Sequence, residues 1–252
     1  MSISLRNITL AYGSRTLLQE VSAEFAPQSL TALIGRNGTG KSTLLRAIAG
    51  LNPPAGGEVL LCGQRLMELS TRQRAETVGF VTTERVRIAN LTCEEVVALG
   101  RAPYTNWIGS LQEEDRRIVR HALEQVGMEA FARKTMDRMS DGECQRVMIA
   151  RVLAQDTPVI LLDEPTAFLD LPNRYELAVL LRRLAHEEHK CILFSTHDLD
   201  IALTLCDAVA LIDTPQLHLL PADEMVRSGW IERLFAGENA RFDAATRTVR
   251  LR

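Results

Sequence analysis

The sequence predicts an α/β fold in which a helical subdomain interrupts a mostly parallel sheet. Short apolar runs at 159–162 and 191–194 are typical of strands buried on both faces of such a sheet. A third apolar run, 30–34, leads through a glycine-rich loop directly into a helical pattern. Between residues 90 and 154 strand candidates are scarce and helical patterns predominate. The chain is therefore expected to form an α/β domain with an inserted helical block.

The glycine-rich loop has the spacing of a phosphate-binding loop. It follows the strand candidate 30–34 and precedes a helix candidate, 41–49, which is the context that the pattern G-x-x-x-x-G-K-[ST] requires. Glycines permit the tight loop, and the positive end of the helix points at the anion, although an ordinary glycine-rich turn is the alternative. Lys41 is expected to reach the β- and γ-phosphates, and the Ser42 hydroxyl to bind Mg²⁺. The predicted nucleotide-binding residues of the loop are Gly35, Arg36, Asn37, Gly38, Thr39, Gly40, Lys41, Ser42 and Thr43.

Two carboxylates, Asp163 and Glu164, follow the buried strand candidate 159–162. A charged pair in that place is costly unless a cation meets it, and Mg²⁺ held by Ser42 would supply the cation. In this interpretation Asp163 binds the metal, directly or through water, and Glu164 is the general base that polarises an attacking water. The alternative is that both carboxylates are solvated in a turn.

His197 and Tyr12 lie where a bound nucleotide could reach them. His197 leaves the carboxyl end of the strand candidate 191–194, at the edge where open α/β sheets bind ligands, and could contact a γ-phosphate and orient the water. A histidine in that place is also a common structural hydrogen-bonding group. Tyr12, after the strand candidate 2–10, could stack on a purine, and simple packing of its ring is the alternative.

The remaining segments predict elements around this centre. Thr92 and Glu95 have the spacing of a capping box that opens a helix at 94–99. A loop at 100–109 then carries two aromatic residues, Tyr104 and Trp107. Their rings could take part in a contact with a partner, and local packing within the loop is the alternative. Further strands are predicted at 17–25, 58–61 and 78–81, further helices at 111–126 and 142–154, and edge strands at 208–212 and 217–220, before terminal helices.

Composition excludes several classes of protein. The chain has 252 residues, 46% of them hydrophobic and 24% charged, which is typical of a globular protein. Its net charge of −3 gives no sign of nucleic-acid binding, since such domains are usually basic. We find no apolar run approaching the length of a membrane span and no signal peptide, and the five scattered cysteines lack C-x-x-C spacing. We therefore expect a cytosolic protein with reduced thiols that neither crosses a membrane nor is secreted by itself.

In chain order these motifs resemble those of ABC ATPases. Tyr12, the loop 35–43, Asp163–Glu164, the stretch 167–170 and His197 resemble the A-loop, Walker A, Walker B, D-loop and switch histidine of that family. The segment 139–146, Met-Ser-Asp-Gly-Glu-Cys-Gln-Arg, resembles the signature that separates the family from other phosphate-loop proteins. The resemblance spans roughly residues 1 to 215, and it favours adenine stacking by Tyr12 and a catalytic role for His197.

The resemblance implies a P-loop NTPase (RecA-like) core with an N-terminal antiparallel β subdomain. It places the ATPase core at 1–89 and 155–215 and the helical subdomain with the signature at 90–154. Residues 216–252 are expected to add strands and helices that complete the same domain.

The resemblance also implies a shared site in a homodimer. Ser140 and the backbone N–H groups of Gly142 and Glu143 would contact ATP held by a second copy of the chain, with the D-loop residue Asp170 nearby. One chain alone is then not expected to hydrolyse ATP efficiently.

The sequence departs from the family pattern in two places. Asp141 stands where the signature usually has glycine, and its carboxylate should weaken phosphate binding unless it points away. The glutamine of the family's Q-loop is absent, and ungapped spacing from 78–81 puts Thr83 there with Glu84 next. Either side chain could bind magnesium, so the choice between them stays open.

A lone ATPase domain resembles the importer class, and residues 96–104 resemble the helical subdomain of ATPases that serve iron-siderophore, haem and cobalamin importers. This implies a peripheral subunit on the cytoplasmic face of a membrane, bound to an integral permease and indirectly to an extracytoplasmic substrate-binding protein. The helical subdomain would dock on the permease near Thr83 and Glu84. The alternatives are a soluble ABC ATPase in another task, such as iron-sulfur cluster assembly or work on DNA or ribosomes, and a nucleotide-binding regulator that does not hydrolyse ATP.

Overall fold

The computed structural model describes residues 2–84, 90–105, 109–235 and 240–251. The strands are β1 Ile3–Tyr12, β2 Arg15–Phe25, β3 Leu30–Ile34, β4 Gly56–Leu61, β5 Gln64–Arg65, β6 Val78–Val81, β7 Val159–Leu162, β8 Cys191–Ser195, β9 Ala208–Asp213, β10 Gln216–Pro221, β11 Ala240–Asp243 and β12 Thr248–Leu251. The α-helices are α1 Lys41–Ile48, α2 Thr71–Thr77, α3 Cys93–Ala98, α4 Glu113–Gln125, α5 Asp141–Ala154, α6 Leu171–Glu187, α7 Leu199–Thr204, α8 Ala222–Arg227 and α9 Trp230–Leu234. Short 3₁₀ helices lie at Leu66–Glu68, Leu99–Tyr104, Glu129–Phe131 and Met136–Arg138.

The described strands form two large sheets and one terminal hairpin. The main sheet has the order β10-β9-β3-β8-β7-β6, and its strands run parallel except for the antiparallel edge strand β10. The N-terminal sheet has the order β2-β1-β4-β5 and is antiparallel, while β11 and β12 pair only with each other. The predicted α/β fold with an antiparallel N-terminal subdomain is therefore confirmed.

The parallel order gathers four strand exits at one edge of the main sheet. Strands β3, β8, β7 and β6 are neighbours in that order, so the loops that follow them lie side by side. The loop after β3 is the glycine-rich one, and β7 and β8 are followed by the carboxylate pair and the histidine segment. Strand β8 stands between β3 and β7 although it follows both in the chain.

Two apolar layers cover the main sheet. One face packs on α1 and the antiparallel sheet through fully buried side chains that include Leu33, Leu44, Ile48 and Leu161. The other face packs on the helices through a larger cluster. Burial on both faces explains the wholly apolar sequence of β7 and the apolar run 191–194 of β8.

A buried ion pair fixes the helical block between β6 and β7. Arg101 and Asp115 are both 6% exposed, and Arg101 Nε donates to Asp115 Oδ1 over 2.8 Å. Arg101 also donates to the Ala154 carbonyl at the end of α5 and lies 4.0 Å above the Tyr104 ring. Because a buried charge is tolerated only when it is paired, this contact ties the start of α4 to the end of the helix that begins at the signature.

The helical block matches the sequence prediction in part. Thr92 caps α3 through the predicted capping box with Glu95, and α4 and α5 lie within two residues of the predicted bounds. The loop predicted from residue 100 was wrong at its start, because Leu99–Tyr104 forms a 3₁₀ helix held by the Arg101 contacts. Trp107 lies outside the described residues, and the residue bounds of the subdomains stay predictions.

Two further observations bear on the sequence expectations. Among the residues that the structure describes, no helix has both the length and the apolar character needed to cross a bilayer. The cysteines at 62, 93, 144, 191 and 206 are free thiols, and burial raises the pKa of the Cys191 and Cys206 thiols to about 12.

Candidate functional site

The glycine-rich loop wraps the amino end of α1 in a conformation that two glycines make possible. Gly38 has a φ of 74° and Gly40, the N-cap of α1, a φ of 103°, both in the left-handed region that other residues rarely adopt. A Cβ at Gly40 would also lie 3.0 Å from a methyl group of Leu17 on β2. The loop thereby leaves the first N–H groups of α1 directed at the space above it, where an anion can bind.

Lys41 is a buried cation that is bonded to the loop itself. Its Nζ donates to the carbonyls of Gly35, over 3.0 Å, and Arg36, over 3.4 Å, and the residue is 6% exposed. Burial lowers the pKa of Lys41, while the charges of Glu164 and Asp163 act in the opposite direction. A polyphosphate entering the loop would offer this ammonium group stronger, charged acceptors than two carbonyls.

Asp163, which follows β7, is hydrogen-bonded to α1, to the end of β8 and to the end of β6. It is 3% exposed and accepts hydrogen bonds at Oδ1 from Ser42 Oγ, over 3.0 Å, and from Ser195 Oγ, over 2.8 Å. Its backbone N–H donates to Val81 at the end of β6. The charge is thus satisfied by hydroxyl donors, and the hydroxyl–carboxylate pair of Ser42 and Asp163 forms a set of hard oxygen atoms.

Glu164 is held in a strained position beside His197. Its φ is +47°, and its backbone N–H donates to Ser195 Oγ over 2.8 Å. Its side-chain Oε1 lies 2.8 Å from His197 Nε2. The two predicted catalytic side chains therefore touch each other, and Glu164 also lines the cavity of the glycine-rich loop. Because Asp163 is buried and Glu164 is bonded to His197, the two carboxylates are not simply solvated in a turn.

Ser195 is the site residue that the sequence prediction missed. Its hydroxyl donates to Asp163 and accepts from Glu164, so one side chain orients both carboxylate residues. It is fully buried at the end of β8. A hydroxyl that ends a buried apolar run was a signal in the sequence, but its target depends on β8 lying next to β7.

Tyr12 stands at the open side of the loop. It is 77% exposed at the end of β1, opposite Arg15 across the hairpin turn. Together with residues of the loop and Glu164 it lines a cavity of about 350 Å³. A ring this exposed is not part of the core, so its flat face is available for a base.

The signature segment lies at the surface, at the start of α5. Ser140 is exposed and residues 141–143 are partly exposed. Ser140 Oγ accepts from the Glu143 N–H over 3.2 Å, and Glu143 Oε2 accepts from the Ser140 N–H over 2.7 Å, which lowers the pKa of Glu143. In the single chain the Glu143 N–H is thus bonded within the capping box, and Gly142 is left as the less constrained of the two predicted donors.

Asp141, Gly142 and Asp170 complete this surface. Asp141 opens the first turn of α5, where an acidic side chain is favourable to the helix dipole. A Cβ on Gly142 would lie 3.3 Å from Leu169, so the signature helix and the D-loop are close neighbours. Asp170 caps α6 by accepting from the Asn173 N–H over 3.2 Å.

Thr83 and Glu84 follow β6 at the same edge of the sheet. Val81, the last residue of β6, pairs with Leu162, so the backbone that leads to Thr83 leaves the sheet beside the one that leads to Asp163. Thr83 is partly buried and Glu84 is exposed. Among the described residues no group of three or more histidine, cysteine or acidic side chains could hold a metal by itself.

Comparison with known proteins identifies what the chain is similar to. The family model described as "ABC transporter" matches residues 18–167. The achromobactin transport ATP-binding protein of Dickeya dadantii is 39% identical over 206 residues, which cover 82% of this chain and 77% of that protein. The iron(3+)-hydroxamate import ATP-binding protein of Bacillus subtilis is 37% identical over 201 residues, 80% of this chain and 75% of that protein.

The fold of the chain is similar to that of a solved ATP-binding cassette. The dimeric structure of an ATP-binding cassette in a post-hydrolysis state, bound to ADP and Pi, superimposes with a TM-score of 0.76 at 28% sequence identity. The superposition covers 87% of this chain and 98% of that one.

The bridging role of Ser195 can be tested by stability. Ser195→Ala removes the acceptor of the Glu164 N–H and a donor to buried Asp163, and should lower the free energy of unfolding by about 1–3 kcal/mol because buried polar groups lose their partners. Urea unfolding measures this change. Ser29→Ala, which removes a single bond from a buried hydroxyl to the Ala26 carbonyl, is the matched control and should cost less. Equal losses for the two variants would contradict the bridge.

Proposed function

The chain belongs to the ABC transporter family, and from that premise we propose that it is the ATP-binding, ATP-hydrolysing subunit that powers a separate membrane permease. The observation that supports this most directly is the contact of Glu164 with His197 beside the Ser42–Asp163 pair. These groups meet at the mouth of a phosphate loop, which is where the γ-phosphate of a bound ATP would lie.

Nucleotide binding is assigned to the loop and to Tyr12. The backbone N–H groups of residues 35–43 and the Lys41 ammonium would bind the phosphates, and the exposed ring of Tyr12 would stack on adenine. The Arg36 side chain turns away from the cavity to the Leu234 carbonyl, so Arg36 would contribute to binding through its backbone.

Mg²⁺ is the cofactor that fits the oxygen set of Ser42 and Asp163. When bound, it would neutralise charge on the β- and γ-phosphates. Either Thr83 or Glu84 would add a further oxygen, directly or through water. The burial of Asp163 suits this role, because a carboxylate satisfied only by hydroxyl groups can exchange one of them for a cation.

Hydrolysis is assigned to Glu164 and His197. Glu164 would accept a proton from the attacking water, and the Ser195 bond to its N–H holds its backbone in the left-handed conformation that aims the side chain at the loop. His197, 2.8 Å from Glu164 Oε1, would orient that carboxylate and contact the γ-phosphate.

A second copy of the chain would complete each site. Ser140 is exposed at the amino end of α5, and the apolar side chains of Phe168 and Leu171 are 47% and 63% exposed on either side of Asp170. We assign this surface to a head-to-tail homodimer in which Ser140 and the Gly142 and Glu143 N–H groups contact the partner's ATP. On phosphate binding, the bond from the Glu143 N–H to Ser140 Oγ in the capping box would break or become bifurcated.

Transport is assigned from the relatives. The two relatives described above are ATP-binding proteins of achromobactin transport and of iron(3+)-hydroxamate import. We therefore propose import of an iron-siderophore, or of haem or cobalamin, by a permease that this chain contacts at the cytoplasmic face of a membrane, together with an extracytoplasmic substrate-binding protein. The alternative, a soluble ABC ATPase for a task such as iron-sulfur cluster assembly, receives no support from these names.

The variant Glu164→Gln should separate binding from hydrolysis. Loss of the general base should lower ATP turnover by about 10²–10⁴-fold while the phosphate loop stays intact. ATP should then accumulate in a stable dimer, which size-exclusion chromatography with and without ATP would detect. Turnover close to that of the native chain would refute the assignment of Glu164 as base.

Co-purification tests the transport assignment. A tagged chain expressed in its own host and extracted in mild detergent should bring down an integral membrane protein in stoichiometric amount. Recovery of iron-sulfur assembly proteins, with no membrane protein, would support the soluble alternative instead. The variant Glu164→Gln, which should keep the permease contact, is the control that separates assembly from turnover.

A further inference from the structure

Arg36 connects the phosphate loop to the C-terminal part of the domain. Its Nε donates to the carbonyl of Leu234, the last residue of α9, over 3.0 Å, and its Nη2 donates to the same oxygen. The last carbonyls of a helix have no partner within the helix, so a guanidinium group is a suitable donor to them. The contact joins residues 198 positions apart in the chain.

The backbone carbonyl of the same residue organises the loop from inside. The Arg36 oxygen accepts from Thr39 Oγ1 over 2.9 Å, from the Thr39 N–H over 3.4 Å, and from Lys41 Nζ over 3.4 Å. A movement of Arg36 would therefore displace the acceptor of two loop residues at once. One residue thus links the shape of the loop to an element outside it.

The element outside the loop is firmly anchored. Ile231 of α9 is fully buried in the core cluster on the helical side of the main sheet, and Phe242 of the following strand is 5% exposed in the same cluster. Arg247 fixes the terminal hairpin to α7 by donating to the Leu203 carbonyl over 3.0 Å. Leu234 therefore offers Arg36 a fixed acceptor.

We propose that Arg36 is a positioning residue that holds the phosphate loop in its binding shape through the end of α9. The glycines at 38 and 40, both with left-handed φ angles, give the loop high conformational entropy when it is not held. A bond that restricts the loop before ATP binds lowers the entropic cost of binding. The inference rests on the proposed function, since it concerns the affinity of that same site for ATP.

The experiment compares equilibrium binding of a non-hydrolysable ATP analogue with Mg²⁺ across four variants of the full chain. Arg36→Met removes both donors to the Leu234 carbonyl, and Arg36→Lys keeps an ammonium group that can donate to it. Lys41→Ala removes the cation assigned to phosphate binding. Arg183→Met is the matched control, because Arg183 also donates to a backbone carbonyl, that of Gln125, at a place remote from the loop.

Arg36→Met should weaken binding about tenfold, equivalent to about 1.4 kcal/mol, with Arg36→Lys between it and the native chain and Arg183→Met unchanged. In Arg36→Met the KM for ATP should change more than kcat, because the residue acts on the shape of the loop and not on the groups assigned to hydrolysis. Its thermal midpoint without nucleotide should match that of Arg183→Met.

Equal affinities for Arg36→Met and Arg183→Met would overturn the inference. So would a lower kcat with unchanged affinity, or a loss of folding in Arg36→Met together with native affinity in Arg36→Lys. These results differ from failure of the proposed function, which would show as no binding by the native chain or as full binding by Lys41→Ala.

Discussion

The site depends on one buried acidic residue, Asp163, which is hydrogen-bonded to three neighbouring elements of the fold. Asp163 accepts from Ser42 at the start of α1 and from Ser195 at the end of β8, and its own N–H bonds to the end of β6. An isolated charge at 3% exposure would be costly, so these bonds are a condition for the fold as well as for the chemistry. Through Ser195 the same carboxylate is also linked to the backbone of Glu164.

The proposed site residues of one chain lie in two separate places. Lys41, the oxygen pair of Ser42 and Asp163, and the contact of Glu164 with His197 lie together at one edge of the sheet. The segment 140–143 is on the surface at the start of another helix, and the Glu143 N–H is bonded to Ser140 Oγ in a capping box. The exposure of Ser140 is compatible with the proposed contact with a second copy of the chain.

Much of this could be predicted from the sequence because the signals are local. The phosphate loop has its glycines, lysine and serine within one short segment, and the strands buried on both faces are apolar runs. Lys41, Ser42, Asp163 and Glu164 could therefore be proposed from local patterns, and the structure does bring Ser42 and Asp163 into contact. Ser195 was not assigned a role. It can bridge Asp163 and Glu164 because β8 lies between β3 and β7, and this strand order cannot be read from the order of the strands along the chain. The 3₁₀ turn at Leu99–Tyr104 and the link from Arg36 to Leu234 likewise depend on contacts between distant segments. The high exposure of Tyr12 is also a tertiary property, because a tyrosine after a strand is more often packed than exposed, and the sequence alone does not distinguish the two.

The most direct test of this account is the dependence of ATP affinity on Mg²⁺ in the native chain and in Asp163→Asn, measured by calorimetry with Mg²⁺ and with EDTA. The amide keeps an acceptor for the serine hydroxyls but is a weaker ligand for the cation. The account predicts that Mg²⁺ strengthens ATP binding by the native chain and that Asp163→Asn loses most of this gain while binding ATP normally in EDTA. An equal gain from Mg²⁺ in both proteins would contradict it.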